Sequence, residues 1–326
     1  MKPVIAIVGA TGAVGSEFLL VLKKMGFEFE QLHLIASKRS AGKVLKTVFG
    51  DYEVVDIEQF DFSQVKYAFF SAGGNVSREW APKAAAQGAI VIDNTSAFRM
   101  QDTVPLIIPE INRSAYTGQK LISNPNCSTI QLVRALAPIH ERFGVRKVIA
   151  STYQAVSGAG NEGVNGLHAS LVDSEGAGDS SPFSRPIAHN VIPQIDRFMD
   201  NGFTFEEEKV RFETRKILNE PDMFVTCTAV RVPVFRGHSV AAYIETDKAL
   251  DMGAVKAALV GQGIKVAQNP EDFPTPRTIA NKEDVYVGRI RREPDARNGL
   301  WLWVVADNLW VGAAWNAVRI ARELER

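Results

Sequence analysis

Cysteine is nearly absent from the chain: there are two in 326 residues, Cys127 and Cys227. Two are too few for a disulfide framework or a cysteine-based zinc site. Histidine is scarce as well, and the five present show no ligand spacing to one another, so no metal centre is expected. Neither sign of charge is in excess, since 37 Lys and Arg balance 37 Asp and Glu. Generic nucleic-acid binders and membrane-surface proteins usually carry a basic excess, so no nucleic-acid or membrane partner is expected; a local patch built for a small anion is still allowed. No apolar run approaches a membrane span, and the short one at Val4–Val8 leads into a glycine turn rather than a cleavage site. Internal repeats, low-complexity tracts and heptads are missing too. What remains is 46% hydrophobic and 23% charged, an ordinary globular make-up. At about 150 residues per domain it suggests two domains, with reduced thiols and a cytoplasmic location.

The first part of the chain repeatedly sets a short apolar run before a turn and a helical stretch. Val4–Val8, 32–36, Tyr67–Phe70, 89–92 and 120–122 read as strands, with helices after residue 12 and at 77–87. This alternation predicts an α/β fold with a Rossmann-type, doubly wound parallel sheet over residues 1–126. After about Gly144 the character changes. Residues 155–185, rich in Gly, Ser and Asn, read as a long, irregular, partly helical insertion. A helix at 206–218 follows, then neighbouring strands at 224–234 and 239–245 and further strands at 285–290 and 300–306. Strands with fewer helices between them predict a second, α+β domain at 127–309. The last segment, 310–326, is amphipathic and available to pack back on the first domain, although periodicity leaves its host open.

Gly9, Gly12 and Gly15 lie between the first strand and the first helix. Glycine lets such a turn tighten and the backbone approach a pyrophosphate, while the helix N-terminus offers free N–H groups. The spacing G-x-x-G-x-x-G departs from the usual G-x-G-x-x-G, and a tight turn with no ligand is the bland alternative. The second strand continues into Ser37-Lys38-Arg39-Ser40, without the acidic residue that grips the ribose hydroxyls of NAD. A guanidinium with hydroxyls suits a 2′-phosphate, so NADP is the expected cofactor; a solvated basic loop is the alternative.

If the strands are parallel, the segments 9–15, 71–74, 93–99 and 123–127 gather on one edge of the sheet, where ligands bind in open α/β folds. Cys127 opens a helix there, and a helix N-terminus can lower a thiol pKa well below the ordinary ~8.5. It is therefore the candidate nucleophile, with Asn126 placed to steady an oxyanion. Cys227, inside a strand, reads as core. His238 follows Gly237 in a turn between strands, where an unperturbed pKa near ~6.5 would let it exchange protons. Arg231 is the only charge in an otherwise uncharged strand, and must be paired, reach solvent or meet an anion. Glu213 and Lys216, three apart on one helix face, read either as a ligand pair or as a surface ion pair of little consequence.

At Ser123-Asn124-Pro125-Asn126-Cys127-Ser128-Thr129 the chain resembles the aspartate-semialdehyde dehydrogenases. The likeness runs from the glycine turn to Asp307-Asn308-Leu309, with further blocks at residues 153–160, at Glu213-Thr214-Arg215-Lys216, and at Arg231-Val232-Pro233-Val234 followed by Gly237-His238-Ser239. The resemblance implies NADPH-dependent reductive dephosphorylation of L-aspartyl 4-phosphate to L-aspartate 4-semialdehyde through a cysteine thioester. That reaction serves diaminopimelate, lysine, threonine and methionine biosynthesis. It implies Cys127 as the nucleophile, His238 as acid/base, and Gln154 as the group that orients the acyl moiety. Arg99 and Lys216 would hold phosphate, Arg231 the substrate α-carboxylate and Glu213 its ammonium. Gly9, Thr11, Gly12, Ala13, Val14, Arg39, Ser40, Ser157, Gly158 and Asn308 would contact NADP. The second domain would be both catalytic and dimerising, with a homodimer or higher homo-oligomer as the working unit. The loop between Lys216 and Arg231 is short compared with some members of the family.

Rivals remain. N-acetyl-glutamyl-phosphate reductases typically have Gly where this chain has Asn126, and an acylated amine gains nothing from Glu213. An acyl-CoA reductase shares the chemistry but needs an extended groove. A catalytically silent NADP-binding paralogue would not need Cys127, Gln154, Arg231 and His238 together.

Overall fold

The structure, a computed structural model, describes residues 2–173 and 182–326. By internal packing the chain forms two compact units, Met1–Asn126 with Ala313–Arg326, and Cys127–Gly312.

The first unit is built on a seven-stranded sheet. Its elements in chain order are β1 (Val4–Val8), α1 (Ala13–Met25), β2 (Gln31–Ala36), β3 (Val44–Thr47), β4 (Gly50–Asp56), β5 (Tyr67–Phe70), α2 (Gly74–Ala86), β6 (Ile90–Asp93), the one-turn α3 (Pro109–Asn112) and β7 (Leu121–Ser123). The strand order is β3-β4-β2-β1-β5-β6-β7, and every neighbouring pair is parallel except the β3–β4 hairpin. The central strands are continuous apolar runs because helices cover them on both faces. Ile7 pairs with Leu34 on one side and Phe69 on the other, and all three side chains are fully buried. Helix α1 lays Phe18 against Phe69, ring centroids 5.0 Å apart. The helix stops at Gly26, whose left-handed backbone (φ 62°) lets its N–H reach the carbonyls of Leu22 and Lys23. Because β1, β5, β6 and β7 run in parallel, the segments that follow them leave the sheet at one edge.

The second unit comprises α4 (Cys127–Phe143), β8 (Val145–Gln154), α5 (Gly160–Val172), α6 (Phe205–Leu218), β9 (Phe224–Arg231), β10 (His238–Thr246), α7 (Met252–Leu259), β11 (Ile264–Val266), the one-turn α8 (Pro276–Ile279), β12 (Val285–Arg292) and β13 (Gly299–Ala306). Its six-stranded mixed sheet runs β11-β12-β13-β10-β8-β9. Helices α4, α6 and α7 pack on the sheet. Along β8, Val148, Ala150, Thr152 and Gln154 are buried, while Ile149 and Tyr153 alternate with them and are exposed. On that open face the rings of Tyr153 and Trp303 lie 5.6 Å apart and those of Tyr243 and Trp301 5.2 Å apart.

Two sequence expectations need correction here. Strand β8 was not anticipated, and β9 and β10 are not neighbours: β8 lies between them, antiparallel to β10 and parallel to β9. The link after β9 cannot close a hairpin because its own backbone is engaged elsewhere, with Val156 and Ser157 donating to the carbonyls of Val234 and Phe235. Of the expected 155–185 insertion, a 3-10 turn (Val156–Ala159) and α5 are regular, and residues 174–181 lie outside the described residues.

The chain ends with a π turn (Trp310–Ala314) and helix α9 (Trp315–Leu324). Helix α9 packs on α1, α3 and β6 of the first unit. The segment expected at 310–326 is thus divided, with Trp310, Val311 and Gly312 counted in the second unit. No helix among the described residues is long and apolar enough to cross a membrane.

Candidate active site

In the first unit, the turn after β1 forms a backbone cradle. Gly9 holds φ +90°, and a Cβ there would stand 2.5 Å from the Ser71 carbonyl oxygen, while one on Gly15 would stand 2.2 Å from that of Gly9. Gly12 caps α1 with extended backbone and no side-chain hydrogen bond. The first-turn N–H groups of Ala13, Val14 and Gly15, which follow exposed Thr11, therefore have no intrahelical partner. At the end of β2, Ser40 is nearly buried and donates its backbone N–H to the Ser37 carbonyl at 2.8 Å, which leaves Arg39 exposed on the tip of the turn. A backbone cradle for a pyrophosphate with a free guanidinium one strand away fits NADP.

Two further residues of this unit were singled out from sequence. Arg99 is buried, and its Nε and one terminal nitrogen donate to the carbonyls of Asn124 (2.9 Å) and Asn94 (2.7 Å), so loop backbone fixes the plane of the guanidinium. Asn126, also buried, ends the unit.

In the second unit, Cys127 is the first residue of α4 and is half-buried. Gly312 lies against it, since a Cβ there would come within 2.6 Å of the Cys127 Cβ. Ala155, just past β8, pins two of the expected residues at once. Its N–H donates to Nδ1 of His238 at 3.0 Å, and its carbonyl accepts from Nη1 of Arg231 at 2.8 Å. Gly158 borders both, because a Cβ there would meet Arg231 Nη1 at 2.9 Å and His238 Nε2 at 3.3 Å. A Cys127 thiolate acts electrostatically on Arg231.

His238 differs from its sequence expectation. It is the first residue of β10 rather than part of a loop, and it is fully buried. Burial, with the Arg231 cation adding to it, pushes the imidazole down to about 3, against a weaker upward pull from Glu206 and the Gly237 backbone. The ordinary value near 6.5 therefore does not apply, and the ring is neutral at physiological pH. Its Nε2 is buried, with no hydrogen-bond partner among the described residues.

Gln154, the last residue of β8, accepts from Thr152 Oγ1 at 2.9 Å and donates Nε2 to Glu206 at 3.1 Å. Glu213 on α6 is fully buried and Lys216 half-buried, so the surface ion-pair alternative fails. The remaining cofactor candidates form a group of their own. Ser157 Oγ and Asn308 are hydrogen bonded, and Asn308 Oδ1 accepts the Gly237 N–H at 2.8 Å, one residue before His238. Among the described residues, no group of three or more His, Cys, Asp or Glu could hold a metal ion.

Sequence reasoning missed Glu206, Thr152 and Gly312. Glu206 carried one signal: its spacing to Lys209 repeats that of Glu213 to Lys216. Thr152 lies in the unanticipated strand, and nothing in the sequence marks Gly312.

Comparison with known proteins follows the same division. Residues 4–119 match the family described as "Semialdehyde dehydrogenase, NAD binding domain", and residues 136–311 the one described as "Semialdehyde dehydrogenase, dimerisation domain". The aspartate-semialdehyde dehydrogenase of Bacillus subtilis is 46% identical over 336 residues, covering 99% of this chain and 97% of its own. Aspartate-semialdehyde dehydrogenase 2 of Vibrio cholerae is 47% identical over 330 residues, with the same coverage. A solved structure of aspartate semialdehyde dehydrogenase II from Vibrio cholerae, complexed with ASA, has a TM-score of 0.96 at 46% identity, covering 100% of this chain and 99% of that one. The Candida albicans enzyme, solved with NADP, has a TM-score of 0.79 at 26% identity with the same coverage.

Proposed function

Because this chain belongs to the aspartate-semialdehyde dehydrogenase family, we propose that it reduces L-aspartyl 4-phosphate to L-aspartate 4-semialdehyde with release of phosphate, and that the buried side chains of its second unit do the covalent chemistry. The observation that carries this reading is the Ala155 peptide, which locks a neutral histidine and a buried arginine together in the unit whose first helix opens on a cysteine.

Each role follows from the chemistry of the residue. The Cys127 thiolate attacks the acyl carbon, favoured by its place at a helix N-terminus, and phosphate leaves from the tetrahedral intermediate. NADPH, when bound, supplies the hydride that reduces the resulting thioester. The thiohemiacetal on Cys127 then collapses to the aldehyde and free thiolate. His238 exchanges the proton at Nε2, since Nδ1 is taken by the Ala155 N–H. Gln154 orients the acyl group. Arg231 offers its planar fork to the α-carboxylate, Glu213 takes the ammonium and Lys216 binds phosphate, as does Arg99 from the first unit. Gly9, Gly12 and the residues between and after them, with Arg39 and Ser40, hold NADP; Ser157, Gly158 and Asn308 complete its contacts. Residues 1–126 are the NADP-binding domain and 127–309 the catalytic and dimerisation domain.

The working unit is a homodimer, joined through the open face of the second sheet. Tyr153, Trp303, Tyr243 and Trp301 form an aromatic surface there of the kind that protein interfaces favour. Reduced thiols suit the cytoplasm.

The test is NADPH formation from L-aspartate semialdehyde, NADP and phosphate, with a control lacking phosphate. Phosphate-dependent reduction that disappears in Cys127→Ala, while NADP binding persists, is the expected result. Turnover with free coenzyme A in place of phosphate would move the assignment to an acyl-CoA reductase. NADP binding without any turnover would make it a silent paralogue.

A further inference from the structure

Helix α6 carries the same spacing twice, Glu206-x-x-Lys209 and Glu213-x-x-Lys216, seven residues apart. Seven residues are close to two helical turns, so both pairs lie on one face, about 10 Å apart along the axis. The second pair is assigned to the substrate. The first pair has the contacts of a different task.

Glutamates 206–208 look like a solvated first turn, yet all three are buried, and each has its own partners. Glu207 closes the capping box with Thr204 and accepts the Ala229 N–H. Glu208 accepts from Asn201 and lies beside Arg211. Only Glu206 is turned toward the site: one carboxylate oxygen accepts Nε2 of Gln154 at 3.1 Å, and the other holds Lys209 at 2.7 Å, which in turn reaches Asp196 at 3.0 Å. Its charge also acts on Arg231 and His238.

A carboxylate can only accept, and the Thr152 hydroxyl proton is free to rotate toward an acceptor. Glu206 therefore dictates which end of the Gln154 amide is nitrogen, and Thr152 receives the oxygen. One amide N–H is spent on Glu206, leaving the other for the substrate. We propose that Glu206 is a positioning residue for the reaction, fixing the Gln154 amide in one orientation. The inference rests on the functional reading above.

Glu206→Gln tests it, because the side chain keeps its size and loses the acceptor-only character that orders Gln154. Measured are kcat, the KM values for aspartate semialdehyde and NADP, and the thermal midpoint, in wild type, Glu206→Gln, Gln154→Ala and the double variant. The expected result is a fall in kcat of about tenfold or more in Glu206→Gln, an NADP KM within about twofold of wild type, and a double variant no slower than Gln154→Ala alone. A folded Glu206→Gln with wild-type kcat, or losses that multiply in the double variant, would overturn the proposal. Should Glu206→Gln not fold, Glu206→Asp keeps the buried charge but draws the carboxylate one methylene back from Gln154 Nε2. A smaller kcat loss that again vanishes in the Gln154→Ala background supports the proposal, and wild-type kcat refutes it. Absence of phosphate-dependent turnover in the wild type is a different failure: it removes the functional reading and this inference with it.

Discussion

The two cysteines differ by what surrounds their sulfur atoms. Cys227 lies inside β9 with 4% of its surface exposed, and burial together with the carboxylates of Glu207 and Glu206 pushes its thiol up, out of the range in which it ionises. Cys127 is half-buried at the start of α4. Iodoacetamide at neutral pH is expected to alkylate Cys127 in the folded protein and spare Cys227, read by peptide mass mapping; modification of Cys227 first would contradict the assignment. His238 gives a second prediction at this scale. Its folded value near 3 lies below the ordinary 6.5, so between those values the unfolded chain binds a proton that the folded one refuses. Stability therefore falls on this account as pH drops from 6.5 toward 3, and is unaffected above 6.5. In NMR titrations the His238 ring signals are expected to stay fixed between pH 5 and 8, and a midpoint near 6.5 would refute the buried neutral state.

At the scale of elements, the glycine turn and α1 form one tightly packed joint. Gly15→Ala pushes a Cβ against the Gly9 carbonyl oxygen at 2.2 Å, backbone against backbone, with no flexible side chain to yield. A loss of about 1–3 kcal/mol is expected from such overpacking, with NADP affinity reduced beyond it because the cradle itself deforms. Denaturant unfolding and cofactor titration measure the two effects separately, and an unchanged NADP affinity would speak against the cradle. The same joint was legible in the sequence, because a continuous apolar strand, three glycines and a helical apolar stripe are all local signals. Strand β8 was not. Val145-Arg146-Lys147-Val148-Ile149-Ala150-Ser151-Thr152-Tyr153-Gln154 alternates buried and open-face residues with polar ones on both faces, and its pairing partners lie 77 to 101 residues downstream in β9 and β10. No local pattern reports that one strand has come between two others. Glu206 escaped for a related reason: three successive glutamates at a helix start are the usual mark of a solvated turn, and only tertiary packing turns them inward.

At the scale of the whole molecule, a chain with no net charge has little long-range repulsion to keep copies apart, and the aromatic face of the second sheet stands open. Tyr153→Glu combined with Trp303→Glu is expected to yield a monomer in sedimentation equilibrium, because charges placed on that face cannot be desolvated against a second copy. A dimer that persists would place the interface elsewhere. The family blocks marked the candidate residues one by one, but not their joint support: that the Ala155 peptide serves both His238 and Arg231 is a property of the fold and of no motif.

The polypeptide passes from one unit to the other after Asn126 and returns at Ala313. During synthesis the first sheet leaves the ribosome early, but the helix that covers part of it is made only after the whole second unit. Until α9 emerges, the apolar surface that α1 and β6 offer to it has no cover, and the first unit must wait for the second to be translated before it can close. A nascent chain arrested just short of Ala313 should therefore present that surface to chaperones, and extension through α9 should end the binding.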